Sequence, residues 1–293
     1  MKHYLIQCLE SVYGPTVKIK QSRSVGGGSI NQCQVLELSN GTSIFLKVNA
    51  NPPNDFFTAE QKGLNLLRSI HNGPRVPKPI AIGPGTNQAK LFLLEYIEQA
   101  SPKDGFYETF AQTLANCHRA TQNFYGLDHD NYIGSTDQIN TQEADPIVFF
   151  RENRIRFQQK LARQSGLINK ELDNKLDLLN DKLASLLDVT GEIPALVHGD
   201  LWSGNYFADR NQVPCIFDPA AHYGLRESDL AMTELFGRLP QKFYDAYHEA
   251  FPLNPGYENR KDLYNLYHLL NHLNLFGRSY LSQVEATVNH YLR

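Results

Sequence analysis

The stretch Leu196-Val197-His198-Gly199-Asp200-Leu201-Trp202-Ser203-Gly204-Asn205, followed by Ile216-Phe217-Asp218-Pro219, constrains this chain more than any other. Each half reads as a short apolar strand running into polar residues that a loop must present. Asp and Asn are common in turns, and a lone His-Gly-Asp would mark only a strand end. Here Asp200 and Asn205 lie five apart and Asp218 ends a second strand, so two carboxylates and an amide recur at defined spacing. With 293 residues, the chain is one large domain or two lobes around an ample core.

The step from Asp200 to Asn205 is that of H-R-D-x-x-x-x-N, the catalytic loop of protein kinases, in which Asp is the base and Asn a metal ligand. Asp218 stands where the D-F-G aspartate would, with Pro219-Ala220 in place of Phe-Gly. Phosphoryl transfer needs such a set: one carboxylate to orient the hydroxyl and accept its proton, and an amide and a second carboxylate for Mg²⁺.

The upstream half supplies matching parts. After a short amphipathic helix over 3–13, the pattern turns to strands, with Asn40-Gly41 as a hairpin turn. Gly26, Gly27 and Gly28 between strands would let backbone N–H groups close over a phosphate, although glycine runs also mark plain loops. No Walker A sequence occurs. Lys47 follows Ile44-Phe45-Leu46; it is an ordinary edge lysine or the counterpart of the V-A-I-K lysine that pairs with the α/β-phosphates. Its candidate partner is Glu60, on a helix expected over Asp55–Ile70. The apolar strand Leu91–Ile97 and the polar run from Glu98 to Gly105 read as the end of one lobe and a linker.

His198-Gly199-Asp200-Leu201-Trp202-Ser203-Gly204-Asn205, together with Phe217-Asp218-Pro219-Ala220 and Tyr223-Gly224, resembles the fructosamine kinase (ketosamine-3-kinase) family, in the aminoglycoside-phosphotransferase-like branch of the protein-kinase-like fold. The resemblance runs from about Ser24 to about Leu281. It implies an α+β, two-lobed kinase-like fold: a nucleotide-binding β lobe over 1–98 and a larger, mainly helical lobe over 99–293 carrying the catalytic loop and acceptor site. It further implies ATP and Mg²⁺ as cofactors and transfer of the γ-phosphate to the 3-hydroxyl of a ketosamine, a deglycation-type activity. In those roles Asp200 is the base, Asn205 and Asp218 hold Mg²⁺, and Lys47 with Glu60 and Gly26 to Gly28 hold the phosphates. The main chain from Glu95 through Tyr96 to Ile97 receives adenine. Trp202, Tyr223, His268, Asn271 and His272 border the acceptor. Trp202 is equally well core packing, and Asp229 is either the residue that braces the catalytic loop or a helix cap. A kinase of the same branch acting on an aminoglycoside, choline or sugar is the alternative, and a nucleotide-binding pseudokinase a further one.

The remaining sequence refines this. Thr121–Pro146 is too long for a plain connection and is expected to be functional. Helices are expected over 147–163, around Leu172–Leu186 and over Asp262–Asn274. His268 and His272, four apart, would face one zinc ion only with a third ligand, which the sequence does not offer. Many relatives carry tryptophans near Thr141–Gln142 and Pro146, and aromatic or polar residues at Leu273 and Leu275. Their absence implies a poorer sugar wall and a preference for ribulosamines or erythrulosamines over fructosamines. Where relatives carry a loop cysteine after the glycines this chain has Ser29, and the nearest thiol is Cys33, so a redox link there is not expected.

Net charge of −3 gives no footprint for nucleic acid or an anionic membrane, and no run approaches a membrane span. The first residues are too short an apolar run for a signal peptide, and Cys8, Cys33, Cys117 and Cys215 show no C-x-x-C spacing. A cytoplasmic protein follows from these readings; a monomer is expected, although nothing in the sequence fixes the oligomeric state.

Overall fold

The structure is a computed structural model and describes residues 2–26 and 30–293. Gly27, Gly28 and Ser29 therefore lie outside the described residues. Helix α1 (Lys2–Tyr13) is followed by the antiparallel strands β1 (Ile19–Val25), β2 (Gln32–Leu38) and β3 (Ser43–Asn49). The Asn40-Gly41 turn joins β2 to β3, with Gly41 at φ +84°, where a residue lacking Cβ is favoured. After α2 (Phe56–Arg68), strands β4 (Pro79–Pro84) and β5 (Lys90–Glu95) complete a five-stranded sheet in the order β1-β2-β3-β5-β4.

Strand alternation decides what each face of this sheet does. In β3 the side chains of Ile44, Leu46 and Val48 join Leu5 and Leu9 of α1 in one apolar cluster. Phe45 and Lys47 point to the opposite face, where Phe57, Leu64 and Leu67 of α2 pack. Lys47 is thus directed beneath α2, buried to 2% exposure, and is not an edge lysine.

Strand β6 (Gln99–Ala100) leads into α3 (Phe106–His118), and the long segment that follows folds a small hairpin, β7 (Asn131–Ile133) and β8 (Thr136–Gln138). Asp145 caps α4 (Pro146–Phe150) through the N–H groups of Ile147 and Val148 at 2.7 and 3.1 Å. This helix passes through a π-helical turn, Arg151–Arg156, into α5 (Phe157–Gln164), so the helix expected over 147–163 is continuous but not regular. The leucine series of α6 (Lys170–Leu186) packs into a core shared with the C-terminal helices, not into a coiled coil.

Four short strands then carry the polar loops: β9 (Ala195–Val197), β10 (Tyr206–Asp209), β11 (Pro214–Ile216) and β12 (His222–Gly224). They pair as β6-β10-β11 and β9-β12. Helices α7 (Glu227–Leu235), α8 (Gln241–Ala250), α9 (Tyr257–Phe276) and α10 (Leu281–Tyr291) complete the chain. One apolar cluster runs from Phe57 and Phe92 through Phe106 and Phe110 to Leu201, Ile216 and Phe243, joining the N-terminal sheet to the helical part. No described helix is long and apolar enough to cross a membrane, and all four cysteines are free.

Helices α7 and α9 are tied by a buried ion pair. Arg260 Nε and Nη2 donate to Glu227 at 2.6 and 2.5 Å, and its remaining N–H groups reach the carbonyls of Pro255 and Asn254 at 2.7 and 2.9 Å. With both side chains buried, removing one partner strands the other charge. Arg260→Ala is expected to lower unfolding free energy by about 3–5 kcal/mol; a denaturant midpoint unchanged from wild type would contradict this.

Candidate active site

Strand β9 ends at His198-Gly199-Asp200, and the turn there admits only glycine at its centre. Gly199 has φ +81°, and a Cβ on it would stand 2.2 Å from the carbonyl oxygen of Ala220. Asp229 of α7 accepts the N–H of His198 on Oδ2 at 2.7 Å and that of Gly199 on Oδ1 at 2.8 Å. His118 Nε2 reaches Asp229 at 3.2 Å, and His118 Nδ1 meets the hydroxyl of Tyr247 at 2.7 Å. Asp229 is therefore the brace of the loop, not a helix cap. Burial pushes its carboxyl up, but the hydrogen bond and charge of His118, helped by His198 and Gly199, hold it below the usual range.

His198 links the two polar loops. Its Nε2 donates to the carbonyl of Phe217 at 2.9 Å, and Nδ1 accepts the N–H of Asp200 at 3.3 Å. Burial keeps this imidazole neutral by lowering its pKa. Asn205 donates to the carbonyl oxygen of Asp200 at 2.8 Å and to its Oδ2 at 3.1 Å, fixing the carboxylate from the far end of the loop. Burial raises the Asp200 pKa to about 7, against the lowering effect of the Asn205 bond and with a smaller push from Asp229.

Across the cleft, Lys47 Nζ lies 2.6 Å from Glu60 and also forms an ion pair with Asp218. Asp218 sits at φ +55°, a left-handed conformation that is uncommon outside glycine and turns its side chain back toward β3. Lys47, Glu60, Asp200, Trp202, Asn205 and Asp218 line one cleft of about 470 Å³.

Two of the remaining sequence candidates, Asn271 and His272, also reach this cleft. His268 does not: it lies in a separate internal cavity of about 20 Å³ with Arg154 and His222, its Nδ1 has no partner, and burial lowers its pKa to about 3. Tyr223 packs into the core beyond the cleft. His272 Nδ1 donates to the carbonyl of His268 at 2.8 Å, so the pair does not share a ligand, and no metal-binding cluster of His, Cys, Asp or Glu occurs among the described residues. The Glu95 side chain is engaged by Arg75 at 2.6 Å and by the N–H of Lys78 at 3.1 Å, and its own main-chain N–H donates to the carbonyl of Lys78 at 2.8 Å. Tyr96 accepts from Arg23 at 2.5 Å, and Ile97 follows as a buried residue. Gly26 is the one described glycine of its run, and among the described residues nothing lies within 4 Å of where a Cβ on it would stand.

Of the aromatic end of the cleft, Trp202 and His272 were legible in the sequence, whereas Phe236, Phe276 and Tyr280 were not. Phe236 lies 4.8 Å from His272, ring centre to ring centre, and Trp202 meets Phe236 edge-on at 6.5 Å. Phe276 and Tyr280 extend the group, 5.4 and 5.1 Å from His272. These rings give the cleft aromatic faces at this end. Leu275 lines the cleft, but Leu273 is fully buried in the core, and neither Thr141, Gln142 nor Pro146 borders the cleft. The signal for Phe236 was absent because it lies just past the end of α7, with no periodic pattern to place it. The long segment before Pro146 does reach the cleft, through Asn131, Tyr132, Ile133 and Gly134.

Comparison with known proteins gives the same picture at the level of the whole chain. The fructosamine kinase family model matches residues 1–293. A protein of Synechocystis sp. named as a probable ketoamine kinase is 39% identical over 292 residues, covering 99% of this chain and 96% of its own. The protein-ribulosamine 3-kinase, chloroplastic, of Arabidopsis thaliana is 38% identical, covering 96% and 85%. A crystal structure from Haemophilus somnus named as a fructosamine-3-kinase superposes with a TM-score of 0.88 at 29% identity, over 100% of this chain and 98% of that one. An aminoglycoside phosphotransferase superposes at 0.63 with 14% identity over 99% of each chain, a likeness of fold alone.

The raised pKa of Asp200 carries a stability consequence. The folded state holds this proton more tightly than the unfolded chain, so ionising the group destabilises the fold as pH rises from about 4 to about 7, and fully above that. Asp200→Asn is expected to stabilise the protein by about 1–3 kcal/mol at pH 8 and by almost nothing at pH 4. Thermal melts of the two proteins at both pH values check this, and an equal gain at both would contradict it.

Proposed function

We propose a reaction for this chain from the premise that it belongs to the fructosamine kinase family, whose model it matches from end to end. It has the kinase-like fold and is a phosphotransferase with a hydroxyl group as acceptor. The reading best supported is transfer of the ATP γ-phosphate to the 3-hydroxyl of a ketosamine, a deglycation step. The observation that carries it is the meeting of Lys47, Glu60, Asp200, Asn205 and Asp218 in one cleft with an aromatic far end.

In this reading residues 1–98 hold the nucleotide and 99–293 the acceptor. Adenine rests on the main chain between Glu95 and Ile97, and Gly26 to Gly28 cover the phosphates. The Lys47 ammonium, held by Glu60, takes the α- and β-phosphates. The donor set fits a hard dication: Asn205 and Asp218 offer oxygens, and the Lys47 ammonium now stands against Asp218 as a cation would. These two residues would hold Mg²⁺, which when bound neutralises charge on the β- and γ-phosphates. Asp200, its pKa raised by burial to about 7, orients the acceptor hydroxyl and takes its proton, while Asn205 fixes its direction. Trp202, Phe236 and His272 offer faces on which sugar C–H groups stack. We take the enzyme to work as a monomer in the cytoplasm, without a nucleic acid or membrane partner.

Two plant relatives named protein-ribulosamine 3-kinase support a five-carbon adduct as the preferred acceptor. Ribulose-derived lysine adducts are expected to exceed fructoselysine by about tenfold in kcat/KM, the size of a lost or gained contact. Side-by-side ADP-release assays on one preparation decide this: equal rates remove the preference. Activity only on an aminoglycoside, choline or a free sugar would overturn the ketosamine reading.

A further inference from the structure

The β7–β8 hairpin touches two of the elements that position the charged end of the cleft, α2 and the segment after Asp218. Asn131 donates to the carbonyl of Ala221 at 2.8 Å, and Gln138 donates to that of Ala220 at 2.9 Å, so the hairpin is bonded to the segment that follows Asp218. Behind it lies a fully buried amide network. Gln138 and Asn140 both donate to Asn131 Oδ1, at 2.7 and 2.9 Å, and the hydroxyl of Tyr267 donates to Gln138 at 2.8 Å. Such a satisfied network is rigid and gives the hairpin one position. At its tip, a Cβ on Gly134 would lie 3.0 Å from Ile30, just past the glycine run, and 2.9 Å from Leu275 of α9.

Between these anchors, Tyr132 crosses to the other side of the cleft. Its ring packs on Phe56 of α2 at 5.0 Å, and its hydroxyl donates to Asp55 at 2.6 Å. Asp55 occupies the N-cap position of α2, yet its side chain caps no N–H. A carboxylate at that position ordinarily satisfies the free N–H groups of the first turn; here it faces the hairpin instead. Phe56 and Glu60 are four residues apart on one face of α2, so whatever fixes the rotation of Phe56 fixes the direction of Glu60.

From this geometry we infer that Tyr132 is a positioning residue: it sets the rotation of α2 so that Glu60 meets Lys47, and it refers that position to the Asp218 segment through the hairpin. Both carboxylates of Lys47 then take their places from one hairpin. Asn131, Ile133 and Gly134 of the same hairpin also line the cleft, so a molecule pressing on them also presses on the nucleotide end. The hydroxyl bond to Asp55 is open to solvent and contributes little by itself; the ring contact carries the effect.

The inference rests on the nucleotide-cleft reading above and is tested without any acceptor, by calorimetric titration of the full chain with the non-hydrolysable ATP analogue AMP-PNP in magnesium buffer. Tyr132→Ala is expected to weaken binding about tenfold, within the usual range for coupled sites, while Tyr132→Phe stays within about twofold of wild type. Glu60→Gln provides the decisive arm. If Tyr132 acts through Glu60, adding Tyr132→Ala to Glu60→Gln weakens binding no further, because the two changes remove one interaction. Full additivity would overturn the inference, as would wild-type affinity in Tyr132→Ala. Phe56→Leu removes the same ring contact from the other side, and it must reproduce the Tyr132→Ala result should that variant fold poorly. A wild-type chain that takes up no AMP-PNP would sink the nucleotide-cleft reading and this inference with it, whereas binding with additive effects sinks the inference alone.

Discussion

The structure turns on a single buried ammonium. Lys47 is 2% exposed, and burying an unpaired charge of that kind would cost several kcal/mol. Two carboxylates meet it, Glu60 from α2 and Asp218 from the end of β11, so three separate stretches of chain converge on one nitrogen. Each arrives for a local reason. Strand alternation points Lys47 beneath α2, helical spacing from the buried Phe56 brings Glu60 round, and the left-handed backbone at Asp218 turns its carboxylate inward. The packing between the N-terminal sheet and the helical part is therefore tied to a charge arrangement that a phosphate chain can enter by exchanging partners with Lys47.

A second buried carboxylate does for the catalytic loop what Lys47 does for the sheet. Asp229 takes two successive backbone N–H groups and a histidine, and behind that histidine stands Tyr247. The loop cannot use β-ladder bonds at His198 and Gly199 because the chain turns there at positive φ. Its donors need acceptors from elsewhere. With Asp229 ionised and satisfied, the neighbouring Asp200 feels both burial and a like charge, and both favour its proton. One acid braces and stays charged, and the other is left near neutrality, where a base for a hydroxyl is useful.

What the sequence revealed, and what it hid, follows from the range of the physics involved. Lys47, Asp200, Asn205 and Asp218 were legible because strand ends and fixed loop spacing are local, and the Phe56–Glu60 step is one helical turn. Helix α9 was legible as a helix but not as a surface. Tyr264 through Asn271 are buried all the way round it, so spacing could not tell His272, which faces the cleft, from His268, which faces an internal cavity. Phe236 and Tyr280 join that wall from separate ends of α7 and α10, a juxtaposition made only by tertiary packing. Asp229 could be named only as one of two options, because a brace and a cap look alike in a sequence and differ only in which N–H groups they meet.

The π-helical turn at Arg151–Arg156 solves a problem that composition alone would not disclose. Arg154 is 2% exposed and forms no ion pair among the described residues. Its guanidinium donates instead to the carbonyls of Ile139 and Asn153 and to the side chain of Asn140, at 2.5, 3.0 and 2.9 Å. Its plane also lies over the rings of Phe149 at 4.6 Å and Tyr267 at 5.5 Å. Phe149 precedes it by five residues, the step that a π turn, unlike a regular helix, brings onto one face. The widened turn thus delivers a cation into a core of carbonyl dipoles and aromatic faces, and burial lowers its pKa to about 10, leaving it charged at neutral pH. Through Asn140 that cation holds Asn131, and through Asn131 the carbonyl of Ala221 beyond Asp218. A local irregularity in one helix is in this way transmitted, bond by bond, to the acid that Lys47 requires.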